Sequence, residues 1–163
     1  MFEEGFPKEL RDHVQLVATA ISKKTYNNVK IDQSEQTCNR ILTTSEKITF
    51  PYRIYYADNY DDFACKFSPL QKMIYNCIFS RSCNGFVREK HIASILSVPF
   101  PTWAIPYIIK ICEEYVVEIL ETVYQYLNGM DTEDIKLSCR INAKPFLCGH
   151  DRMISYWNEY YRQ

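Results

Sequence analysis

The chain has four glycines in 163 residues, at positions 5, 85, 129 and 149, and none is clustered with another. A loop that cradles phosphate needs glycines so that backbone amides can approach the ligand, so nucleotide-dependent chemistry is not expected. The three histidines, His13, His91 and His150, come with no glycine-framed serine and no recognisable cysteine-protease surroundings. Nucleophilic catalysis is therefore not expected either. No stretch of about 18 uninterrupted apolar residues occurs, and no charged leader followed by an apolar run opens the sequence. The expectation is a soluble, cytoplasmic protein without a membrane partner.

Neither sign of charge dominates, since 19 basic and 20 acidic residues leave a net charge of -1. That balance argues against a broad polyanion-binding surface. The seven cysteines are odd in number and fit no disulfide framework. Cys77 and Cys112 fall at helical core positions, where a thiol acts as a small hydrophobe, so reduced thiols are expected. Cys77, Cys83 and His91 lack the paired spacing of a zinc site, and Cys148-Gly149-His150 has no matching second pair. Asp58 to Asp62 is not a calcium loop, because Tyr60 sits where an oxygen ligand belongs and the turn glycine is missing. No metal or other cofactor is expected.

What is present is a core: 47% of residues are hydrophobic and 13 are tyrosines, enough for one domain over residues 1–163. Residues 105–128 stand out. Placed on a helix, Ile105, Ile108, Ile109, Cys112, Tyr115, Val116, Ile119, Leu120, Val123 and Leu127 fall on one broad arc, with Lys110, Glu114, Glu118, Glu121 and Gln125 opposite. The spacing predicts one long central helix, entered at Thr102 and Pro106 and closed by Asn128-Gly129. Glu113 falls at the flank of the apolar arc. A carboxylate there, if buried, demands an arginine or a raised pKa.

Around it the periodicity predicts a helix over 7–24, a sharply delimited one from Ser68 to about Arg81, and a third over 87–97. Asp131 as a cap favours helix for 135–141, against a strand-like alternation there, and Asp151 caps a last helix after Pro145 and Gly149. In that helix Trp157 and Tyr160 are expected to pack on the core. Residues 48–56 alternate with a period of two, and Pro51 makes the segment an edge strand or an extended arm. Residues 25–46 support only short strands or loop. The fold class is thus mainly α: a single-domain bundle of about five to six helices around the 105–128 helix, with at most a small β hairpin or edge strand before residue 57. No internal repeat is present.

Two charged stretches carry the functional expectations. Lys72, Arg81, Arg88 and Lys90 gather in one region, and a nucleic-acid-binding regulator would need them as a contiguous basic surface. The stretch Tyr55 to Phe63 instead mixes carboxylates with aromatics, which give contact area at little entropic cost while the carboxylates steer a basic partner. Tyr56, Asp58, Tyr60, Asp61 and Asp62 are therefore the candidate partner-binding residues. The preferred reading is a non-enzymatic protein-binding domain, in its most specific form an immunity or inhibitor protein for a basic partner such as a nuclease. An enzyme of another type would show a pocket with convergent polar groups near Glu113 or a Cys and His pair.

Overall fold

Val14 and Val17 are fully buried on the first helix, α1 (Arg11–Ala20), which is shorter than its sequence period suggests. Ile21 already has an extended backbone, and a 3-10 turn over Lys8–Leu10 leads in. The computed structural model describes residues 2–22, 24–63, 65–114, 116–128 and 130–162. Tyr115 and Gly129, two of the residues assigned to the central helix, lie outside them.

The polar third of the chain holds a hairpin. Strand β1 (Thr37–Ile41) pairs antiparallel with β2 (Lys47–Pro51), from Thr37 opposite Pro51 to Ile41 opposite Lys47. Ser45 takes a left-handed φ of 70° in the turn. Pro51 ends the ladder, as a residue without an N–H must. The alternating segment then continues as an extended arm: the Ile54 amide donates to the Arg81 carbonyl at 2.9 Å, and the Ile54 carbonyl accepts from Cys83 at 2.8 Å.

After the short helix α2 (Tyr60–Phe63) comes α3 (Pro69–Phe79), built as its sequence indicates. The Ser68 hydroxyl accepts from the Gln71 amide, the Gln71 side chain accepts from the Ser68 amide, and Pro69 occupies the first turn. Helix α4 (Gly85–Leu96) follows, capped by Asn84. α3 packs between α1 and α4, and α4 packs on α6 (Val117–Leu127). With α5 (Ile105–Ile111), α7 (Glu133–Ile141) and α8 (Ala143–Tyr160), there are eight α-helices among the described residues. The fold is mainly helical with one small hairpin, and 135–141 is helix. None of the helices is long and apolar enough to cross a membrane.

Three expectations need correction. The 105–128 stretch is two helices, because α5 ends at Ile111 and α6 starts at Val117. The turn at Cys112-Glu113-Glu114 carries neither glycine nor proline, so nothing local announces it; its cause is tertiary and is described below. The last helix starts at Ala143 and runs through Pro145 and Gly149. Proline is tolerated there because it lies in the first turn, where an N–H has no helical partner. Finally, Trp157 and Tyr160 are not core residues: they are 52% and 61% exposed.

Candidate functional site

The α5–α6 turn places two adjacent carboxylates inside the protein, and each finds its own set of cations. Glu114 accepts from Arg53 Nη2 at both oxygens, at 2.8 and 2.9 Å, and from Arg88 Nη2 at 3.1 Å. Arg81 Nη2 lies 3.8 Å away. Glu113 accepts from Arg40 Nη2 at 3.2 Å, from Arg152 Nη1 at 3.1 Å and from the Lys110 ammonium. These cations come from β1, the arm after β2, the end of α3, α4, α5 and α8. Burying a carboxylate is unfavourable unless it is paired, so the chain turns where both can be. On a continuous helix the two neighbours would point about 100° apart, whereas the turn carries both inward.

The cluster holds six cations against two carboxylates, and other groups take up the remaining positive charge. Arg88 Nη1 donates to the carbonyls of Ser82 and Cys83, Arg81 to that of Tyr52, and Lys110 Nζ sits 4.3 Å over the Tyr52 ring. Burial, and secondarily the nearby Arg53 guanidinium, brings Arg81 down to about 10. Burial also lowers Lys110, against the pull of Glu113. For Arg152 the balance reverses: burial lowers it, but Glu113 and Tyr52 outweigh burial and raise it.

Glu113 also explains Gly149. A Cβ built on Gly149 would stand 2.5 Å from Glu113 Cγ and 2.8 Å from Cδ, while the carboxylate is already held by Arg40, Lys110 and Arg152. Glycine costs a helix about 1 kcal/mol relative to alanine, so an exposed site would gain from Gly149→Ala. Here overpacking of about 1–3 kcal/mol wins, and we expect a net loss of about 1–2 kcal/mol in urea denaturation. A variant as stable as the parent would show that Glu113 yields freely.

Docking at Gly149 and Arg152 fixes α8 beside α6 and leaves an apolar groove between them. Val117 and Leu120 form one wall, Met153, Ile154, Tyr156, Trp157 and Tyr161 the other, with buried Glu114 also lining it, around a volume of about 160 Å³. Leu147, Ile154 and Trp157 are 57%, 43% and 52% exposed. The Trp157 and Tyr161 rings stack at 5.5 Å.

The candidate partner-binding residues divide into two groups. Tyr56 is buried, bridges to Thr25 and meets the Phe2 ring edge-on at 6.0 Å. Burial, with Asp32 nearby, pushes its hydroxyl up to about 12. Asp58 accepts at Oδ1 from the Tyr60 amide at 3.0 Å and the Tyr75 hydroxyl at 3.1 Å, and its Oδ2 lies 3.1 Å from His91 Nε2 and 3.2 Å from Lys90 Nζ. His91 Nδ1 in turn lies 2.7 Å from Asn76 Oδ1. Burial alone would raise the Asp58 carboxyl. The hydrogen bond and charge of His91, with the Tyr60 amide and Lys90, hold it well below the usual carboxylate range. Tyr60 is half-buried against Tyr75 and His91, while Asp61 and Asp62 face solvent.

Arg81 and Arg88 are 1% and 4% exposed, so neither contributes to a basic surface. All seven cysteines are free. One sequence signal of the groove exists: Leu147, Ile154 and Tyr161 recur every seven residues, opposite the buried Gly149. Comparison with protein-family models, curated proteins and solved structures gives no match.

Proposed function

We propose that this chain is a non-enzymatic protein-binding domain and that the α6–α8 face is its binding surface. The observation that supports it is the open apolar groove, with Ile154 and Trp157 exposed in its α8 wall and Leu147 exposed on the same helix, which is held by the Arg152–Glu113 pair. Exposed aromatic and aliphatic side chains gathered on one face mark an interaction surface, since water is a poor solvent for them. Tryptophan and tyrosine are also the side chains that most often dominate binding energy. The most specific form of this reading is an inhibitor or immunity protein that covers a basic partner. Asp61 and Asp62, both solvent-facing, offer a second, electrostatic contribution to encounter.

The test compares three immobilised baits in cell extract: the parent chain, Ile154→Asp, and the pair Asp61→Asn with Asp62→Asn. Proteins retained by the parent and lost by Ile154→Asp, at unchanged melting temperature, are the expected result. Equal retention by the parent and Ile154→Asp would remove the groove from the interface. Loss only with the aspartate pair would move the interface to the acidic loop.

A further inference from the structure

The charge around the groove specifies what kind of protein segment fits it. Val117, Leu120 and Tyr124 recur along α6 at i, i+3 and i+7, and the exposed Glu118 and Glu121 lie on the turns between them. No lysine or arginine occurs between Lys110 and Lys136. Of the acidic residues in that interval, Glu113 and Glu114 are neutralised inside, while no cation among the described residues pairs with Glu118 or Glu121. Asp151 is exposed on α8 next to Ile154. The α6 border of the groove is therefore acidic, whereas on the α8 side Asp151 lies 3.8 Å from His150 and the exposed Arg162 follows the groove-lining Tyr161.

Resting on the protein-binding reading above, we infer that the groove takes an amphipathic helix of a partner protein, with a leucine or aromatic anchor on its apolar edge and Lys or Arg on its flanks. Two helices side by side present ridges that a third helix completes, and apolar residues at i, i+3, i+4 and i+7 match such a groove. The recess of about 160 Å³ has room for one large side chain. Flanking cations would meet Glu118 and Glu121 on the α6 side, where an acidic helix or an anionic lipid surface would be repelled.

A labelled synthetic Leu/Lys amphipathic helix, its Leu/Glu counterpart and vesicles containing phosphatidylserine are the probes, titrated against the full chain at several salt concentrations. The Leu/Lys helix should bind more tightly than the Leu/Glu helix, with affinity falling as salt rises. Ile154→Asp should weaken it by about tenfold or more, the scale set by loss of one central anchor. Glu118→Lys with Glu121→Lys, both on the exposed face, should weaken the Leu/Lys helix and strengthen the Leu/Glu helix. Absence of binding by the Leu/Lys helix, equal binding of the two peptides, or insensitivity to the charge reversal would each overturn the basic-helix inference. Vesicle binding that survives the charge reversal would overturn it in favour of a membrane surface. Peptide binding that obeys the charge reversal but ignores Ile154→Asp would instead discard the groove, and with it the reading on which the inference rests.

Discussion

Glu114→Gln is expected to destabilise the protein by about 3–5 kcal/mol, the cost of stripping the counter-charge from buried cations. Arg81 and Arg88 are nearly inaccessible and Arg53 is only slightly exposed, so water cannot replace the missing carboxylate. The carboxamide also turns its own N–H groups toward guanidinium donors for which Glu114 was an acceptor. Against a typical total stability of about 5–15 kcal/mol, this is a large fraction. Urea denaturation followed by circular dichroism measures it, with Glu118→Gln as the exposed control, expected to change stability by less than about 0.5 kcal/mol. If the two variants lost equal stability, the Glu114 network would have to be solvated and the tertiary cause given for the α5–α6 turn would fail.

Asp58→Asn is expected to cost about 2–3 kcal/mol at neutral pH, on the scale of buried groups left without an acceptor. Asp58 serves the Tyr60 amide, the Tyr75 hydroxyl, His91 and Lys90 at once, and a carboxamide cannot accept from all four. The pH dependence carries a second signature. The folded carboxyl titrates below its unfolded value of about 3.9, so its stabilisation is complete above that pH and disappears as pH falls toward the folded value. The parent should therefore lose stability as the medium is acidified below about pH 4, and Asp58→Asn should lose less over the same interval. Parallel pH profiles for the two proteins would mean that Asp58 contributes nothing to acid denaturation, contrary to its hydrogen bonds.

The sequence alone points elsewhere for both residues. Asp58 shares one polar, aromatic stretch with Asp61 and Asp62, and by sequence the three belong together. Only the fold brings His91 from α4 and Tyr75 from α3 against Asp58 and leaves Asp61 in solvent. By its spacing Glu114 belongs to the polar face of a continuous helix. Once the helix breaks after Ile111, a projection across 105–128 no longer reports direction, and Glu114 turns inward with Glu113. For Glu113 the two agree more closely, since it flanks the apolar arc, and as a buried carboxylate it pairs with Arg40 and Arg152.

What the sequence determined by itself was whatever depends on a few neighbouring residues: the capped start of α3 at Ser68, the helix over 135–141 that its cap favours against a strand-like alternation, the exclusion of Pro51 from a sheet interior, and a mainly helical core. Those features follow from hydrogen bonds and steric limits that reach about one helical turn. What only the tertiary structure decided was the break between α5 and α6, the passage of α8 through Gly149, and the exposure of Trp157. Arg40 and Arg152 meet Glu113 across 73 and 39 residues, and no local pattern records such a meeting. Buried charge is costly enough that partners distant in sequence override a strong helical period, and where α8 is tied down by them, its apolar face is left open.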